Sequence, residues 1–178
     1  MTNANIIGAK RLILREALVG EAEQILAGEQ VEGQRWAEGY PFGGTIGGAK
    51  LLMRSVEAGT HRSGFGMYQI TEQASGLVIG DIGCHSGVGS DRAVEIGYGI
   101  VEAWRRRGYT TEAVRALSAW LLAQPGVDEV RAETEEDHAA SRGVLRNGGF
   151  RHVGTEGGTV LYRLRSEDLV EPVRNEER

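Results

Sequence analysis

The chain has 178 residues, 40% hydrophobic, 25% charged and 6% aromatic, which fits one folded domain with a full core and excludes disordered and fibrous classes. Its net charge of −5 speaks against nucleic acid as a partner held by bulk electrostatics. A single cysteine, Cys84, allows no internal disulfide or zinc-type spacing, no apolar stretch approaches the ~18 residues of a membrane span, and the opening MTNANIIGAKR lacks a signal-peptide core; a cytoplasmic protein without membrane or metal is expected.

Residues 1–9 and 166–178 are polar and aperiodic and are expected to fray, leaving a single domain over 10–165 without internal repeats. Residues 11–15, RLILR, alternate as a half-buried strand, and Val19–Ala27 carries apolar residues at helical spacing. Residues 33–48 hold six glycines, a proline and three aromatics, the composition of a long loop before a helix over 49–57. Long ordered loops tend to carry function, so Trp36 and Tyr40 are candidate substrate-binding residues, with core anchoring as the plainer reading.

Three strand-like runs follow at 66–72, Leu77–Cys84 and 93–101, separated by turn-rich segments, and read as an antiparallel meander. From 109 to 123 the positions Ala113, Val114, Leu117, Trp120 and Leu121 recur at threes and fours, an amphipathic helix stopped by Pro125-Gly126. A strand over 127–133, a short helix over 138–147 ended by two glycines and a closing hairpin, 150–154 with 159–164, complete the chain. This order implies a mixed α+β domain, one sheet with helices on both faces.

Residues 95–112, EIGYGIVEAWRRRGYTTE, carry the strongest functional signal, because a glycine-containing strand feeds a basic turn that opens straight into the strong helix. The first N–H groups of a helix lack internal partners, and its dipole adds about half a positive charge there, so phosphate oxygens bind to main chain alone. Arg105, Arg106 and Arg107 add charge, Gly108 admits close approach, and Thr110 or Thr111 can cap the helix or bind an oxygen. A diphosphate is the natural ligand. A mononucleotide P-loop is absent, and Gly97-x-Gly99 continues to Glu102 inside a strand, so the dinucleotide fingerprint fails too.

Arg105-Arg106-Arg107-Gly108-Tyr109-Thr110 resembles the Arg/Gln-x-x-Gly-x-Gly/Ala loop of the GNAT superfamily of N-acetyltransferases, departing only at Thr110. Residues 11–15, Glu95-Ile96-Gly97-Tyr98, Thr111-Glu112-Ala113, Ser141 and Gly149-Phe150 match in order and spacing, over about residues 10–165, and resemble most the RimJ/RimL-like branch of ribosomal-protein alanine N-acetyltransferases. The resemblance implies a mostly antiparallel sheet splayed between the fourth and fifth strands, here 93–101 and 127–133. It also implies acetyl-CoA as co-substrate, its pyrophosphate on residues 105–111 and its pantetheine arm paired to backbone near Ile100 and Val101, where an N–H could polarise the thioester.

Acyl transfer to an amine needs the amine neutral, and Glu95 is the candidate base. Strand alternation puts Glu95, Gly97 and Gly99 on one face, so a poorly solvated carboxylate would look along two residues without side chains, with room for a substrate; pairing with an arginine to hold the sheet is the bland alternative. The resemblance implies a proton donor for the departing thiolate at Ser141 and a coenzyme-ordering asparagine where this chain has His138. The tyrosine many relatives use falls at Leu145, while His61, His85 and His152 carry no assigned role. The expected activity is direct transfer of an acetyl group to a primary amine, a protein N-terminus or small molecule, with a non-catalytic acyl-CoA-binding or regulatory module as the alternative. A homodimer is the default assembly for this kind of fold.

Overall fold

The computed structural model describes residues 4–169. In chain order the elements are β1 (Ile6–Gly8), β2 (Leu12–Glu16), α1 (Val19–Ala27), β3 (Arg35–Trp36), α2 (Gly43–Glu57), β4 (Met67–Glu72) and β5 (Leu77–Cys84), followed by β6 (Ala93–Ile100), α3 (Tyr109–Leu122), β7 (Glu129–Glu135), α4 (Ala139–Asn147), β8 (Arg151–Glu156) and β9 (Thr159–Arg165). One nine-stranded sheet has the order β1-β2-β4-β5-β6-β7-β9-β8, with β3 lying parallel on β5. The meander β4-β5-β6 is antiparallel, and β6-β7 is a parallel neighbour pair.

Period-two alternation sends neighbouring side chains to opposite faces. On β4, Met67 joins Ala22, Ile25, Ala49 and Leu52 in a cluster under α1 and α2, whereas Tyr68 joins Val114, Leu117 and Leu121 in the main core under α3. Helices α1 and α2 therefore cover one face, and α3 with α4 the other. The helical spacing over α3 is realised directly, with Val114, Leu117 and Leu121 fully buried.

Three expectations need correction. Ile6–Gly8 does not fray but pairs with β2, and Ile7 is buried in the core; residues 1–3 and 170–178 lie outside the described residues, while the start of the expected tail turns as a 3-10 helix, Ser166–Leu169. The expected loop 33–48 contains β3 and the first turn and a half of α2. Its glycines cost helix propensity, about 1 kcal/mol each, but contact decides: a β-carbon on Gly48 would stand 3.0 Å from Met67 Sδ, so glycine lets α2 sit close on β4.

Candidate active site

Strands β6 and β7 pair only over Ala93–Glu129, Val94–Val130 and Glu95–Arg131. Beyond Glu95 they part, and a cavity of about 1490 Å³ runs through the gap, from α2 and the loop before β4 on one side to His138 and Ser141 on the other. Ladder alternation fixes which β6 groups face it. His85 N donates to Glu95 O and Val101 N donates to Ile79 O, so odd positions of β6 bond to β5 and even ones turn outward. The cleft-facing main-chain groups past the fork are those of Tyr98 and Ile100. Val101, expected to polarise a thioester, has its N–H committed to Ile79, and the Ile100 carbonyl accepts from Arg105 Nε at 3.1 Å.

At the end of β6 a 3-10 turn, Glu102–Trp104, leads into the basic loop. Gly108 is the N-cap of α3 in the left-handed region, φ 77°, and no side chain caps the helix. The capping role expected of Thr110 or Thr111 is therefore not taken, which leaves the first α3 amides open to a ligand. Arg106 also has a positive φ of 61°, Arg107 stacks over Trp104 at 5.1 Å, and all three arginines and Gly108 are exposed. The loop is strapped from the residue just before β2: the Glu112 carboxylate accepts from Arg11 N at 2.6 Å and Arg11 Nε at 2.8 Å, and Arg11 Nη1 donates to the Arg107 carbonyl at 3.0 Å. Arg11 also lies 4.4 Å over the Tyr109 ring.

Two polar pairs flank the fork on opposite faces of β6. On the α2 face the Glu95 carboxylate accepts from His85 Nδ1 at 2.7 Å. Glu95 is not the poorly solvated group expected, since 36% of its side chain is exposed. Nor are Gly97 and Gly99 uncovered: a β-carbon on Gly97 would lie 2.2 Å from His85 Nε2, and one on Gly99 2.6 Å from the Phe42 ring. On the α3 face the Tyr98 hydroxyl lies 2.9 Å from Ser141 Oγ. Burial pushes the Tyr98 phenol above its ordinary range, so it keeps its proton at neutral pH. His138 is the exposed N-cap of α4 and lines the cavity without a side-chain capping bond. Leu145, at the family's tyrosine position, is fully buried core.

A family model described as an acetyltransferase (GNAT) domain matches residues 11–151. The chain belongs to the GNAT acetyltransferase family. An uncharacterized N-acetyltransferase, YjdG of Bacillus subtilis (strain 168), is 29% identical over 87 residues, 49% of this chain and 52% of that protein, so the match spans about half the length of that curated relative. Among solved structures, RimL, a ribosomal L7/L12 alpha-N-protein acetyltransferase in complex with coenzyme A, superposes with a TM-score of 0.64 at 19% identity, covering 90% of this chain and 98% of that one. A ribosomal-protein-S5-alanine acetyltransferase from Vibrio fischeri gives 0.63 at 15% identity, with 92% and 98% covered. The microcin C7 self-immunity acetyltransferase MccE, in complex with acetyl-CoA and AMP, gives 0.60 at 12%, with 88% and 93% covered. At these identities the likeness shows the fold, and the forked sheet is the GNAT sheet.

Within this GNAT chain the aromatics of residues 33–48 serve mainly as anchors. Tyr40 is buried at 7% exposure, with Trp36 edge-on at 5.5 Å and Phe42 at 6.0 Å; neither Trp36 nor Tyr40 lines the large cavity. Sequence reasoning missed His85, Tyr98 as partner of Ser141, and Asp81. Asp81 is buried opposite Gly99 on the α2 face and accepts from Thr45 Oγ1 at 2.5 Å, and burial raises its carboxyl to about 6. A signal for His85 did exist, since a bare position beside a carboxylate two residues away on one strand face leaves room for a ring from the neighbouring strand. Among the described residues no cluster of three or more His, Cys, Asp or Glu could hold a metal ion, and no helix is long and apolar enough to cross a membrane.

Proposed function

We propose that the protein is an acetyl-CoA-dependent N-acetyltransferase that passes the acetyl group directly to a primary amine. The observation that carries this reading is the fork of β6 from β7 ending beside an uncapped, arginine-flanked helix N-terminus. In this reading the open amides of α3, with Arg105, Arg106 and Gly108, grip the pyrophosphate. The pantetheine arm lies in the fork against the outward main chain of Tyr98 and Ile100, completing β6 as an added strand.

The two faces of β6 then divide the proton work. The amine enters on the α2 face and gives up its proton at the Glu95 end of the strand, while its lone pair attacks the thioester carbonyl carbon. On the other face the C–S bond breaks and the thiolate takes a proton from Ser141, which Tyr98 backs. His138 stands where the coenzyme arm would pass the start of α4. The acceptor is a protein N-terminus or a small amine; the first is the kind of acceptor for which the fold neighbour RimL, a ribosomal L7/L12 alpha-N-protein acetyltransferase, is named.

Calorimetric titration with coenzyme A and thiol release from acetyl-CoA over a panel of amines and unblocked peptides test this. Binding with turnover is expected. Gly108→Trp is expected to abolish coenzyme binding, because it places an indole beside the pyrophosphate seat at a residue with φ 77°. Binding without turnover on any acceptor would leave a coenzyme-binding module, and full affinity in a folded Gly108→Trp variant would refute the loop assignment.

A further inference from the structure

We infer that His85, oriented by Glu95, is the group that receives the acceptor's proton. This deepens the acetyl-transfer reading and rests on it. A carboxylate can only accept, so the 2.7 Å contact from His85 Nδ1 to Glu95 Oε1 places the hydrogen on Nδ1 and leaves the lone pair of the neutral ring on Nε2. That nitrogen has no hydrogen-bond partner among the described residues. It lies over Gly97, two residues past the last β6–β7 pair, where the fork opens. The His85 side chain is 54% exposed and lines the cavity.

Three features hold this geometry. His85 N donates to the Glu95 carbonyl at 2.8 Å, so the β5–β6 ladder itself registers the two residues. The side-chain bond then fixes the ring's tautomer and rotation, as a carboxylate does for a histidine in hydrolase triads. Gly97 completes the arrangement, because any β-carbon there would collide with the ring.

In the step that follows, an N–H bond of the acceptor ammonium breaks and Nε2–H forms. The freed lone pair makes the N–C bond to the thioester carbonyl, the C–S bond breaks, and sulfur leaves with the proton from Ser141, while a second N–H bond of the same nitrogen breaks and its proton passes through solvent to the Ser141 oxygen, leaving a neutral amide and a restored hydroxyl. The imidazolium discharges to water, with Glu95 stabilising it meanwhile. Glu95 is thus a positioning residue and His85 the catalytic one.

The test uses the full chain, acetyl-CoA and an amine panel comprising an unblocked alanyl peptide, spermidine and an aminoglycoside. His85→Ala is expected to lower kcat about 100-fold or more while leaving the calorimetric affinity for coenzyme A unchanged, and added free imidazole is expected to restore part of the rate. Nitrogen-15 NMR of the wild-type ring in its neutral form should show the proton on Nδ1, and Glu95→Ala should scramble that tautomer. Unchanged turnover in His85→Ala, or an Nε2-protonated ring, overturns the His85 assignment while acetyl transfer by the wild type stands. Coenzyme binding by the wild type without thiol release on any of these amines overturns the transfer reading, and the base role with it.

Discussion

Asp81 is a buried acid whose surroundings have chosen its protonation state. Phe42 N donates to Thr45 Oγ1 at 3.2 Å, and Thr45 passes its own hydrogen to Asp81, so one hydroxyl both closes the first turn of α2 and caps the carboxylate. A single neutral donor does not repay the loss of water, and desolvation raises the carboxyl from 3.8 to about 6, with the Thr45 bond opposing it. The folded value therefore lies above the unfolded one, and the fold binds the proton more tightly than the open chain. Stability from this group is complete below pH ~3.8 and lost as pH rises through about 6. The expected loss is about 3 kcal/mol by pH 7. Urea midpoints from pH 4 to 7 check it: Asp81→Asn should flatten the decline, and an equal decline in the variant would assign it to other groups.

Individual elements were legible where periodicity and contact agree. Helix α3 shows its apolar stripe in the sequence because the buried face and the helix period coincide, and the basic turn before it announces itself by composition. Helix α2 is hidden because its first turns are glycine-rich, and one of those glycines, Gly48, serves packing against Met67, a tertiary benefit that local propensity does not show. Strand β1 is hidden for a related reason, since three residues acquire their order only from β2. The strap is a third case. Arg11 and Glu112 each stand out in the sequence, yet nothing in one chain tells that residues 101 apart meet. That meeting sets the angle at which α3 presents its open amides, with Arg11 touching Glu112, Tyr109 and the Arg107 carbonyl together. Since 40% of the Arg11 side chain is exposed, Arg11→Ala should cost stability no more than about 1 kcal/mol. Calorimetry should show a larger effect, a three- to ten-fold weaker hold on coenzyme A, because the loop loses its preorganisation. Equal affinity in the variant would show that the loop holds its shape without the strap.

At the scale of the whole molecule, the sheet is divided at the fork, with five strands before it on the main path and three after it. Only three residue pairs join β6 to β7, so the halves depend on shared packing: Val94, Val130, Leu117 and Leu164 belong to one core cluster. That design leaves main-chain groups of β6 facing a gap instead of a strand, and a ligand inserted there supplies the missing neighbour. A ligand that binds only the folded state stabilises it by mass action, about 2.7 kcal/mol at 100 times its dissociation constant. For a chain of this size that corresponds to a rise in Tm of roughly 5–10 °C. Because one core spans the fork, melting should remain a single transition with and without coenzyme A, the whole peak moving to higher temperature in calorimetry. Gly108→Trp should melt once, at the same temperature whether or not coenzyme A is present. Two resolved transitions in the wild type, merging only with ligand, would instead mean that the two sheet halves fold as separate units and that the coenzyme is what joins them.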